Sequence, residues 1–261
     1  GLPGEGVRNA VQDSQGYLWV ASDNGMAVSR KSLRDYLPGE RISFTSMVGK
    51  TELLKESVSE NTLSAHRDNG VWLGSQELII RYQWEKSGEL SAESFSARAN
   101  LEKSTSTVTS LAVKQGGVVW SGLADGSIVR IVPGEGGLKG WKDGAKLLGE
   151  RCEAVVHLLE VRGGVLLAGC KNGAVWRLEK KGPSLKAALL YPPNGAPVTQ
   201  MSQERSGFIW VSRRKGGTAR FQPNMSQRQG IFRLELIGTY NRQRGLPSDW
   251  VNKVVDDAEG N

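Results

Sequence analysis

A phrase of nineteen residues returns along the chain, and this repetition limits what the chain can fold into. Residues 7–25 read Val-Arg-Asn-Ala-Val-Gln-Asp-Ser-Gln-Gly-Tyr-Leu-Trp-Val-Ala-Ser-Asp-Asn-Gly. Residues 108–126 lie under them without a gap, so that Gly117 falls under Gly16, Trp120 under Trp19 and Gly126 under Gly25. Residues 155–173 repeat the phrase with Gly164, and with Leu167 in the Trp position. Residues 198–216 repeat it with Glu204, Gly207 and Trp210. A looser copy, one residue shorter, carries Asp68-Asn69-Gly70-Val71-Trp72-Leu73-Gly74-Ser75, and residues 245–261 overlay residues 1–17. The turn glycines 16, 70, 117, 164, 207 and 260 are 43 to 54 residues apart. A period of that length, filled by short strands, marks a β-propeller blade.

The chemistry within one repeat agrees. Asp13-Ser-Gln-Gly16 has Asp at the first and Gly at the fourth place of a type I turn. Tyr17 to Ala21 is aromatic and β-branched, as a strand prefers. Asn24-Gly25 is read as supplying the positive φ angles of a two-residue hairpin turn, with a strand starting at Met26. A fourth, outer strand is placed around Arg41 to Thr45, and residues 50–60 are the one stretch that admits a helical turn. The expected fold is all-β: a β-propeller of four-stranded antiparallel blades, five full blades plus the opening strand of a sixth, within a larger ring. The repeats are placed at 1–48, 49–100, 101–148, 149–195 and 196–244, with 245–261 beginning the next blade. Trp19, Trp72, Trp120, Leu167 and Trp210 are the expected blade anchors; Trp84, Trp141 and Trp176 have no assigned role.

Composition narrows the function classes. Apolar residues make up 38%, and 33 glycines in 261 residues bring the sum into the globular range, which excludes disorder. The best apolar run, residues 155–169, is interrupted by Glu160 and Arg162, so no membrane-spanning segment is expected. The opening Gly-Leu-Pro-Gly-Glu-Gly is no signal peptide; a targeting segment is expected to be removed or to lie outside the chain. The net charge is +7, favouring acidic partners, but the basic residues form no stripe and no nucleic-acid motif is present.

At the phrase described above, the sequence resembles the two-component regulator propeller repeat. Gly1-Leu2-Pro3, Asp13, Gly16, Leu18-Trp19-Val20-Ala21-Ser22 and Asn24-Gly25 match its pattern, and Gly245-Leu246-Pro247, Asp257 and Gly260 match its opening half. The middle repeats keep Gly and Trp but drop Gly-Leu-Pro, and two replace the turn Asp by Lys114 and Val161. The resemblance implies an extracytoplasmic sensor domain of a bacterial membrane signalling protein, such as a histidine kinase, hybrid regulator or diguanylate cyclase. Several such domains sense oligosaccharides. Rings of this family usually have seven blades, so the chain is expected to be the N-terminal part of a longer protein, or to be completed by a second chain.

Catalytic constellations find little support. Gly49-Lys50-Thr51 ends like a phosphate-binding loop, but Phe44 stands where the first glycine is required. His66 and His157 are the only histidines and have no metal-ligand spacing, which weakens a propeller-lyase reading. Asp256 and Asp257 are adjacent strand residues pointing to opposite faces. No cofactor or metal is expected.

Cys152 aligns just before the first strand of its repeat and Cys170 at the end of the second, so the thiols are placed to meet at one end of the blade. A bridge closing that loop would stabilise by roughly 3 kcal/mol and would suit the periplasm. The alternative is two separate buried thiols. Ligand contacts are expected in the loops at that same end: Arg8-Asn9, Asp23-Asn24, Gln76-Glu77, Ala124-Asp125, Lys171-Asn172, Arg213-Arg214-Lys215 and Asp249-Trp250. The run Arg213, Arg214 and Lys215 suits carboxylate or sulfate groups, unless it is a solvated turn. Trp250 stands outside the Trp register and suits stacking on a sugar or a partner protein, or packing at the strand entry. The site proposed from sequence is therefore Arg8, Lys171, Arg213, Arg214, Lys215 and Trp250. The expected ligand is an oligosaccharide or small molecule, favoured if acidic, bound by a domain that dimerises through its full-length receptor on the periplasmic or extracellular side. An envelope scaffold is the second reading.

Overall fold

The computed structural model describes residues 1–2, 4–47, 62–66, 70–75, 78–96, 106–113, 117–134, 137–141, 151–181, 184–225 and 232–255. The repeated phrase folds each time into two strands and the tight turn between them. The first sheet pairs β1 (Val7–Gln12), β2 (Leu18–Ser22), β3 (Gly25–Ser29) and β4 (Phe44–Ser46) in that order. The second uses β5 (Leu63–His66), β6 (Gly70–Gly74), β7 (Leu78–Trp84) and β8 (Leu90–Ser96). The third uses β9 (Val108–Val113), β10 (Val119–Leu123), β11 (Ile128–Gly134) and β12 (Gly137–Trp141). The fourth runs through β13 (Val155–Val161), β14 (Val165–Cys170), β15 (Val175–Lys181) and β16 (Ser184–Tyr191). The fifth runs through β17 (Val198–Gln203), β18 (Ile209–Arg213), β19 (Thr218–Met225) and β20 (Phe232–Tyr240). All five are antiparallel and four-stranded, the build of propeller blades.

The chain divides into two compact units. The first, residues 1–123 and 129–145, holds the first three sheets apart from Ile128; the second, residues 124–128 and 146–261, holds the fourth and fifth.

Within each unit, the period of two puts every second residue on the face that meets the following sheet. Trp19 and Ala21 leave the first sheet on that face and pack against Val71, Leu73, Ile80 and Tyr82 of the second. Trp72 does the same toward Val108, Leu111, Val119 and Ile131 of the third sheet. In the second unit Leu167 fills the position, against Val198, Met201, Ile209, Val211 and Phe221 of the fifth sheet. Trp19, Trp72, Trp120 and Leu167 are all buried. Trp210 departs from the expected anchor role: it is only partly buried. Its ring rests on Tyr240 of its own sheet, with centroids 5.2 Å apart, and under Arg220. Among the described residues of its unit, no further sheet covers that face.

The turn acid ties these tryptophans down. The Gly16 N–H donates to the Asp13 carbonyl (3.1 Å) with Gly16 at φ +91°. Asp13 Oδ1 accepts the N–H groups of Gln15 (3.0 Å) and Tyr17 (2.9 Å). Its Oδ2 accepts the indole N–H of Trp19 (2.8 Å) and of Trp84 (3.2 Å), so one carboxylate joins the first sheet to the second. Glu204, one methylene longer in the same position, accepts the Trp210 indole (2.9 Å) and pairs with Arg220.

Three local expectations are corrected. Asp23 and Asn24 form the first β2–β3 turn, and the positive φ belongs to Gly25 (+130°), not Asn24. Glycine has no Cβ, so Gly25 takes the positive φ of this turn and Asn24 is spared it. The outer strand of the first sheet begins at Phe44, because pairing to β3 reaches only from Ser29↔Phe44 to Ala27↔Ser46. Residues 251–255 form no strand; they bond to β17 largely through side chains. Thr199 Oγ1 and Ser202 Oγ donate to the Val251 and Val254 carbonyls, and Gln200 Oε1 accepts the Val254 N–H. The expected helical turn at 50–60, the Gly49-Lys50-Thr51 loop, Gln76-Glu77 and the Asp256-Asp257 pair lie outside the described residues.

Candidate functional site

The hairpin between β18 and β19 gathers two separate segments, at Pro197 and at Asp249 to Val251, at one end of the fifth sheet. Arg214 N–H donates to the Pro197 carbonyl (3.0 Å), Gly217 N–H to the Asp249 carbonyl (2.9 Å), and Val251 N–H to the Arg213 carbonyl (3.1 Å). Gly217 is required here: at φ +79°, an added Cβ would run into the Tyr240 carbonyl. Trp250 is thereby fixed beside the strand end, 56% exposed, with its indole N–H donating to Asn252 Oδ1 (2.7 Å).

The three-residue cationic run is split by strand geometry. Arg214 turns its guanidinium over the Trp250 ring, 5.3 Å from the centroid, and both it and Lys215 are exposed. Arg213, on the same face as Val211, points into the seam with the fourth sheet, its guanidinium 4.7 Å from the centroid of the Tyr191 ring. It is only 4% exposed. Arg213 is therefore not part of a solvent-facing cluster, because successive strand residues leave opposite faces of the sheet. Burial pushes its guanidinium below the ordinary arginine value, and Tyr191 acts against that shift. Its Nε and Nη2 are enclosed and meet no acceptor.

A second piece of this end is pinned covalently. Cys152 and Cys170 form a disulfide, with Cα atoms 5.0 Å apart. The bridge closes the end of the fourth sheet from which the Lys171–Gly173 turn projects. Lys171 is exposed, and its N–H donates to the Ala154 carbonyl (3.0 Å). Asn172 donates to the Arg151 carbonyl (2.7 Å), while its carbonyl accepts the Asn194 and Gly195 N–H groups.

Lys171, Arg213, Arg214, Lys215 and Trp250 thus belong to the second unit, and Arg214 with Trp250 is a direct pair. Arg8 is exposed at the start of β1, in the first unit. Asp249, expected among the ligand loops, supports this end; Tyr191 and Asn252 support it too and were not singled out by sequence. Tyr191 has no local signal for its role, since its partner comes from the neighbouring sheet. His157 lies within β13, and its Nδ1 is enclosed without a partner. Burial first, and the charge of Lys253 second, push it down to about 4, so it is neutral at pH 7. The side chains of His66 and Trp141 lie outside the described residues. An exposed indole stacked by a guanidinium, with the Asn252 amide bonded to its edge, is equipped to bind a polar ring. Among the described residues, no three His, Cys, Asp or Glu side chains gather as a metal site.

Comparison with known proteins agrees with this architecture. The chain is an all-β protein of propeller blades. Its residues 1–24 match the two component regulator propeller family. The extracellular domain of a hybrid two component system from B. thetaiotaomicron is similar over 100% of this chain and 36% of that chain, at 16% identity and a TM-score of 0.58. PorZ, a surface component of the type-IX secretion system of Porphyromonas gingivalis, is similar over 98% and 37%, at 12% identity and a TM-score of 0.63. Virginiamycin B lyase from Staphylococcus aureus is similar over 90% and 71%, at 15% identity and a TM-score of 0.59. The chain spans little more than a third of the receptor domain it matches. No curated protein sequence matches it. Among the described residues, no helix is long and apolar enough to cross a membrane.

Proposed function

We propose that this chain is the ligand-recognition part of an extracytoplasmic signalling receptor and that its ligand is an oligosaccharide. The observation that carries the reading is the Arg214–Trp250 pair, an exposed indole held in place by backbone bonds on both sides of it. An aromatic ring spreads apolar area under a sugar's C–H face at little entropic cost, and the neighbouring cation and amides supply directional bonds. The family repeat at residues 1–24 and the Cys152–Cys170 bridge favour an exported domain, since such bridges persist in oxidising compartments. Ligand capture here would bias the placement of receptor subunits and so the output of an attached kinase or cyclase, by differential affinity for two arrangements.

Titration calorimetry against a panel of neutral and acidic oligosaccharides tests the reading. Trp250→Ala is expected to weaken binding about tenfold, the effect of losing one stacking anchor. Equal heats for the wild type and Trp250→Ala would remove the site. The fold likeness to PorZ, with Leu236 and Ile237 exposed on β20, favours a second reading as an envelope scaffold. In that case no sugar gives heat, and Leu236→Asp with Ile237→Asp releases the domain from its assembly.

A further inference from the structure

Arg213 is built unlike Arg177 and Arg220 of its unit, each of which leaves only its Nε enclosed without an acceptor. Arg177 gives Nη2 to Glu179 (3.2 Å) and Nη1 to the Phe232 carbonyl (3.1 Å). Arg220 gives Nη2 to Glu204. Arg213 has a π face over Tyr191 and nothing on its Nε–Nη2 edge, although both atoms are enclosed. That edge is the guanidinium's fork: two parallel N–H bonds, spaced to meet the two oxygens of one carboxylate. Leaving a charge enclosed without an acceptor is costly for a ligand-free protein. The acid at this end of the sheet is committed elsewhere, because Asp249 Oδ1 accepts the Arg242 N–H (2.7 Å). The main chain of Arg213 adjoins the segment that carries the exposed indole, since Val251 N–H donates to the Arg213 carbonyl.

We infer that the Arg213 fork receives the carboxylate of an acidic sugar, a uronic acid residue of an oligosaccharide whose neighbouring ring lies on Trp250. This rests on the recognition reading above and names the class of ligand. The carboxylate would meet the Nε–Nη2 edge of a guanidinium whose face already rests on Tyr191 of the fourth sheet, so its arrival would bear on the seam between the two sheets. No covalent chemistry is involved; the ligand replaces the missing acceptor.

The test titrates the whole chain with a tetragalacturonide, a neutral galactose tetrasaccharide, acetate and a tetraglutamate peptide. The wild type is expected to bind the uronide in preference to the other three. Arg213→Lys keeps the charge but lacks the fork, and is expected to weaken uronide binding at least about tenfold, with Arg213→Met weaker still. Without ligand, Arg213→Met is expected to melt at or above the wild-type temperature, because it removes an unpaired buried charge. A lower melting temperature for Arg213→Met would show a structural arginine and overturn the assignment. So would unchanged uronide binding by Arg213→Lys, or equal binding of acetate. Preference for the peptide would overturn the sugar as source of the carboxylate. Binding of the neutral sugar with no gain from the uronide removes this inference alone, whereas silence from both sugars removes the recognition reading with it.

Discussion

Asp13 shows how much one small side chain holds. Its two oxygens accept two backbone N–H groups and two indoles. Asp13→Ala strands four donors in a buried turn, and is expected to cost about 3 kcal/mol, read as a lowered urea midpoint. Asp13→Asn keeps one accepting oxygen and is expected to fall between. Glu204 performs the related task near the surface. Burial raises its carboxyl, but hydrogen bonds from Arg220, Ser206 and Trp210, with the Arg220 charge, outweigh that and set it below the ordinary glutamate value of 4.5. A carboxylate lowered on folding adds stability above its unfolded value, and this is lost as pH falls through the folded one. Urea midpoints of the wild type should therefore drop as the pH falls below about 4.5, and Glu204→Gln should flatten that limb. The turn role of Asp13 was legible in the sequence because it is local. Its second indole was not, because Trp84 lies 71 residues away.

At the scale of elements, the Cys152–Cys170 bridge crosses the end of the β13–β14 pair, where Val155 stands opposite Cys170. Replacing both cysteines by serine is expected to cost about 3 kcal/mol, the effect of freeing a loop of this length. Denaturant unfolding with and without reductant measures it, and the double variant should no longer respond to the reductant. The strands themselves were legible: alternation, turn glycines and the repeated phrase each act within a few residues. What the elements do to a side chain was less so. The consecutive cations at 213–215 read as one cluster, yet the pleat sends Arg213 into a seam and Arg214 to the indole. Alternation is a sequence-level rule, but only the neighbouring sheet tells which of the two faces is buried.

At the scale of the whole molecule, the second unit carries a pH dependence of its own. His157 binds its proton only near 4 in the folded chain, against 6.5 in an exposed histidine. The unfolded chain therefore takes up a proton first as pH falls, and stability declines from about pH 6.5 down to about pH 4, by up to about 1.4 kcal/mol per unit. His157→Gln should remove that slope, and thermal melts across the same range would measure it. If the slope survives the substitution, His157 is not its source. By itself the sequence determined an all-β chain of repeated four-stranded sheets, because short-range sterics, turn chemistry and the period of two are all written within each repeat. Only the tertiary structure decided that Trp19 is sealed while Trp210 is partly open, and that Arg213 has an empty fork. Burial and hydrogen-bond satisfaction depend on what lies opposite a side chain, and that partner comes from a different part of the chain.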